Sequence, residues 1–158
     1  MKKQLFLLAG LLAMAVSCVS PKHNNNKEMN TEHLTYFSFD HHNAMAESGE
    51  KYTVSTLEDG RVHVVVGNGF YDKKEFDLDD NTIFEELLTI VKAYKMDKYK
   101  RDYQPLMDIY DGDSWSLYYK YDSGRNVSSG GYMAWPDKYH EMRKALSELF
   151  ARWYSEKD

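Results

Sequence analysis

The sequence predicts an α+β fold, an antiparallel β-sheet with two amphipathic helices on one face, and three observations predict it. Apolar residues alternate with polar ones in several short runs between Leu34 and Tyr121, and a period of two is the mark of strands with one buried side. Turn residues punctuate these runs, with Asp59-Gly60 and Ser123-Gly124 at the tips of two hairpins. Two longer segments carry apolar residues at intervals of three and four, which line one side of a helix.

The chain opens outside this fold. Lys2 and Lys3 precede an uncharged apolar run from Leu5 to Val16, and small residues lead to Cys18. Roughly a dozen apolar residues are fewer than the ~20 that span a bilayer, so residues 1–17 read as a secretion signal that is removed. Cys18, the single cysteine, follows Ala15-Val16-Ser17 and looks like a bacterial lipoprotein processing site, although Ala15 stands where leucine is usual. A lipidated Cys18, carrying palmitate-type chains, would be the mature N-terminus and a membrane anchor; the alternative is an ordinary signal peptide with a coincidental cysteine. Lipidation would consume the thiol, leaving no disulfide, thiol ligand or cysteine nucleophile. The polar, asparagine-rich stretch that follows makes residues 18–30 a lipidated cysteine and flexible tether, with one α+β domain at residues 31–158. No acidic run follows Cys18, which favours a periplasmic-facing position in the cell envelope over a surface-exposed one.

Leu34 to Asp40 is the first strand expected, with Leu34, Tyr36 and Ser38 on one side and Thr35, Phe37 and Phe39 on the other, ending in a loop at Asp40-His41-His42-Asn43. Lys51 to Leu57 and Val62 to Val66 form a hairpin about Asp59-Gly60, and Phe70 to Asp77 reads as a more polar edge strand. Thr82 and Glu85 have capping-box spacing at the start of a helix over residues 81–97, with the stripe Ile83, Leu87, Ile90, Val91 and Tyr94. Lys92, Lys95 and Lys98 suit its C-terminal dipole. An irregular connection with Pro105 follows, with a short strand expected over Leu106 to Tyr110. In the main hairpin Trp115, Leu117, Tyr119 and Tyr121 share one face. Trp135-Pro136 leads into a closing helix to about Tyr154, with the stripe Tyr139, Met142, Leu146, Leu149 and Trp153. Gly60 and Gly124 occupy equivalent turns, and Gly67 and Gly131 each lie seven residues further on. This spacing suggests a duplicated β-hairpin-helix unit, although glycine in turns is common.

The formal charge is −5, and more negative once Lys2 and Lys3 are gone, so a nucleic-acid partner is not expected. Asp77, Asp79 and Asn81 begin like a calcium loop, but Thr82 stands where glycine is required and Leu88 where the bidentate glutamate belongs. Asp108, Asp111 and Asp113 gather at the mouth of the main hairpin and are a weak candidate for a hard cation; turn chemistry alone favours aspartate there. His41 and His42 are neighbours and point opposite ways in an extended chain, so with His33 they read as solvated loop histidines. Ser128-Ser129-Gly130-Gly131 lacks a nucleophile elbow, no phosphate-binding glycine motif is present, no catalytic residue is assigned, and no cofactor is expected. The aromatic content, 13 Tyr, 7 Phe and 3 Trp, serves a sheet core and equally a recognition surface. Tyr118, Tyr132 and Tyr71 fall outside the main apolar set and are the candidate binding residues.

Asp111-Gly112-Asp113-Ser114-Trp115, followed by Gly130-Gly131-Tyr132-Met133-Ala134-Trp135-Pro136, resembles segments of small uncharacterised lipoproteins and secreted proteins of gut bacteria, particularly Bacteroidota. The resemblance implies an envelope location and carries over no catalytic or binding residue. The function expected is therefore that of a membrane-tethered, non-enzymatic module binding a protein or glycan. The alternative is an inhibitor of an envelope or extracellular hydrolase, and an enzyme using the three aspartates stands third.

Overall fold

The computed structural model describes residues 32–46, 49–68, 72–107 and 109–154. The expected signal, Cys18 and the tether lie outside the described residues. The architecture is α+β, as expected. Among the described residues, seven strands in one sheet and two α-helices follow the order β1 (Leu34–Asn43), β2 (Gly49–Thr56), β3 (Val62–Asn68), β4 (Asp72–Leu78), α1 (Thr82–Ala93), β5 (Asp102–Tyr103), β6 (Asp113–Tyr121), β7 (Asn126–Tyr132) and α2 (Tyr139–Tyr154). The sheet order is β4-β3-β2-β1-β6-β7-β5, antiparallel throughout except for the short parallel β5–β7 pair. Among the described residues no helix is long and apolar enough to cross a membrane.

Period-two patterning decides which residues enter the core. Phe37, Phe39, Tyr52, Val54, Val64, Val66, Leu117 and Tyr119 are all buried, and the register sets Phe37 opposite Val54 and Tyr119, and Phe39 opposite Tyr52 and Leu117. The apolar stripes of α1 and α2 join the same cluster, and Phe150 stacks on Tyr52 with ring centroids 4.3 Å apart. Stacked and tilted aromatic pairs of this kind add about 0.5–1.5 kcal/mol beyond burial. The hydroxyls of Tyr119 and Tyr121 donate to Asp97 Oδ1, at 2.7 and 3.2 Å, which removes the cost of carrying phenols into the core.

Several expectations change. β1 runs on to Asn43, and a register irregularity between Leu34 and Tyr36 lets Leu34 point into the core on the same side as Phe37; strict alternation had set them apart. α1 ends at Ala93, and a 3₁₀ turn at Met96–Lys98 replaces its expected last turn, with Lys95 left-handed at φ 52° between them. No capping box forms at its start: Asp80 Oδ1 accepts the Thr82 N–H at 2.9 Å, and Thr82 is itself the first helical residue. Phe84 and Phe150 are buried beside the expected stripes. Leu106 and Met107 form a bend, not a strand, and β5 upstream pairs with β7 instead.

The two hairpin turns match closely. Gly60 and Gly124 have φ of 87° and 86°. Leu57 N–H donates to the Arg61 carbonyl at 2.8 Å, as Tyr121 N–H does to that of Arg125. The further correspondence is looser. A Cβ on Gly131 would lie 2.6 Å from Trp115 Nε1 and 2.5 Å from the Ala134 carbonyl, whereas one on Gly67 would meet nothing closer than 3.4 Å. Gly131 is thus a close-approach glycine that seats Trp115, whose indole donates to Ala134 O at 2.9 Å. Among the described residues four strands precede α1 and three lie between α1 and α2, so any repeat is incomplete.

Candidate functional site

Because β1 is longer than expected, its alternation carries His41 onto the face of Phe37 and Phe39. Its imidazole is only 4% exposed and is not a solvated loop histidine. The first turn of α2 supplies Tyr139, whose hydroxyl lies 2.9 Å from His41 Nδ1. β6 supplies Asp113, with Oδ2 3.7 Å from Nε2. Burial, followed by the charge of Arg143, holds the His41 pKa below the ordinary histidine value, while Asp113, Glu50 and Asp40 pull the other way. The Tyr139 phenol is pushed up, chiefly by burial. A neutral imidazole that accepts the tyrosine proton at Nδ1 carries its own proton on Nε2, toward Asp113.

His41 and Asp113 line a polar cavity of about 400 Å³, together with Glu50 and Arg143. Arg143 of α2 donates through Nε to Glu50 of β2 at 2.9 Å, and Asn43 donates to Asp113 Oδ1. Among the described residues every charged side chain here has a partner, and none that lines the cavity is a serine, threonine or cysteine. The cluster can hold a hydrogen-bonding group and a shared proton.

The acidic mouth does not assemble as a cation cup. Asp108 lies outside the described residues, Asp111 is exposed at φ 61°, and Asp113 turns to Asn43 and His41. Among the described residues no group of three or more His, Cys, Asp or Glu could hold a metal.

Tyr71 also lies outside the described residues. Tyr118 is 39% exposed on the side of β6 away from the core, with Tyr36 edge-on at 5.7 Å and Ser38 and Ser128 beside it in register. Tyr132 is half-buried, and its hydroxyl accepts the Gly112 N–H at 2.8 Å. It ties down the connection between β5 and β6, so its first role is structural.

That connection holds what sequence reasoning missed. Met107 is 77% and Tyr110 88% exposed, and Leu106 is fully exposed. Below this apolar tip, Gly112 is held by Tyr132, and Asp113 N–H approaches Met133 Sδ at 3.0 Å while Met133 N–H donates to Asp113 O at 2.8 Å. The signal was present in the sequence: apolar residues after Pro105 with neither a period of two nor one of 3.6, which no core claims.

No known family matches the chain, and no curated protein is similar to it at a significant level.

Proposed function

We propose that the protein is a membrane-tethered envelope lipoprotein, anchored through Cys18, that acts as a non-enzymatic binding module for a protein partner. One observation carries this reading: Leu106, Met107 and Tyr110 project from a single connection whose base is fastened by Tyr132 and Met133. Large apolar side chains held out in water on an anchored loop are the usual form of a docking element, because burying them against a partner regains about 1.5–3 kcal/mol each. Tyr118 and Tyr36, on the side of β6 and β1 away from the core, offer a second, flatter contact.

An inhibitor of an envelope or extracellular hydrolase is the second reading, favoured by the same loop, since exposed apolar side chains on a tied base suit insertion into a cleft. A photo-crosslinking residue placed at position 106 should capture a defined envelope protein, and Met107→Asp introduced alongside it should abolish that capture. A crosslinker at position 118 serves as the comparison. Capture from 118 but not 106 would move the interface to the sheet, and no capture from either would overturn the binding reading. Inhibition of one member of a protease and lysozyme panel, lost in Leu106→Asp, would select the inhibitor.

A further inference from the structure

A second cavity, of about 300 Å³, opens where the end of α1 approaches the start of α2. Tyr94, Tyr99 and Tyr103 form its aromatic walls, and Lys95, Lys98 and Lys138 line it together with a single acid, Asp137. Three ammonium groups against one carboxylate give a lining of +2 in a chain of formal charge −5. Among the described residues no ion pair neutralises these lysines. At about 300 Å³ the space sits at the small end of the range for ligand pockets.

The backbone around it is costly. Lys95 and Lys138 are both left-handed, at φ 52° and 59°, where glycine rests freely and a residue with a Cβ does not. At Lys95 the charge compensates the C-terminal dipole of α1. Lys138 has no such excuse: it stands directly before α2, where a cation opposes the helix dipole. Strain retained at a cavity wall is an indication of use. Tyr99 lines the cavity with its ring, while its hydroxyl is buried away from solvent and has no hydrogen-bond partner among the described residues.

We propose that this cavity binds an acidic sugar, a pyranose-sized ring carrying one carboxylate. The lysines take the carboxylate, the tyrosine rings offer apolar surface to the C–H groups of the sugar, and its hydroxyls donate to the Asp137 carboxylate. A compact inorganic anion would use the lysines and leave the tyrosine faces idle. A neutral sugar would leave the +2 unanswered. The site is distinct from the apolar loop, and its occupancy does not depend on the protein partner.

Calorimetric titration of the protein with galacturonate, with galactose, which lacks the carboxylate, and with inorganic phosphate tests the proposal. Galacturonate is expected to bind saturably, and galactose and phosphate about tenfold or more weaker, the lower bound for losing a charge-assisted hydrogen bond. Lys98→Gln should weaken galacturonate by a similar factor. Lys138→Gly should weaken it too while raising the thermal midpoint, because it relaxes the backbone and removes a cation from the start of α2; a lysine with only a structural role would give no loss of affinity. Absence of galacturonate binding, galactose or phosphate binding as tightly, or unchanged affinity in both variants would each overturn the proposal.

Discussion

At His41 a titratable ring sits on the core face of β1, between a phenol and a carboxylate. Its folded-state pKa lies below the ordinary value, first because burial disfavours the imidazolium and second because Arg143 is near. A group of this sign binds fewer protons when folded than when unfolded. Its stabilising contribution is complete above about pH 6.5 and is lost as the pH falls from there toward the folded-state pKa. Urea midpoints should therefore drop between pH 7.5 and 5.5, above the range where carboxylates titrate, and the drop should shrink in His41→Gln. A drop of the same size in the variant would assign the effect to other groups. This residue was hidden in the sequence for a physical reason. Asp40-His41-His42-Asn43 has the polarity of a loop, and only the pairing of β1 with β2 and β6 keeps it extended and so makes His41 a core residue. Tyr139 was legible as part of a helix stripe, but its partner was not, since 98 residues separate the two.

The two hairpins make the corresponding case for elements. Gly60 and Gly124 share a left-handed φ, and a Cβ on either would meet nothing within 4 Å, so the cost of a side chain there is backbone strain alone. Gly60→Ala and Gly124→Ala should each destabilise by about 1–2 kcal/mol, and by the same amount within the scatter of denaturation curves; a several-fold difference would mean that the turns are not equivalent. The turns, the strand faces of β2, β3 and β6 and the stripes of both helices were legible because each depends on residues close in sequence. The end of α1 was not. The usual stop signal is a glycine in the left-handed position, and here Lys95 takes that conformation. Leu106 to Tyr110 misled in the opposite direction, because apolar residues were read as strand where no neighbouring strand accepts them.

Across the whole molecule, β1 pairs on both sides, with β2 from the next stretch of chain and with β6 from far beyond it, Leu34 lying opposite Tyr121. That junction was the part of the topology the sequence left open, since hydrophobic patterning specifies which face a strand buries and not which strand lies beside it. It also makes the sheet's centre the last region to open. In native-state hydrogen exchange the amides of Phe37, Phe39 and Tyr119 should be the slowest, and those of β4 and β5 much faster. β4 outlasting β1 would refute this ordering. The two rims of the sheet carry a further consequence. On one side β5 is only Asp102–Tyr103, and on the other β4 bears Asp72, Lys73, Lys74, Glu75 and Asp77. A rim too short to template a strand, opposite one studded with charge of both signs, gives an incoming backbone little to extend. Copies of this chain crowded side by side should therefore stay separate and not knit into a continuous sheet.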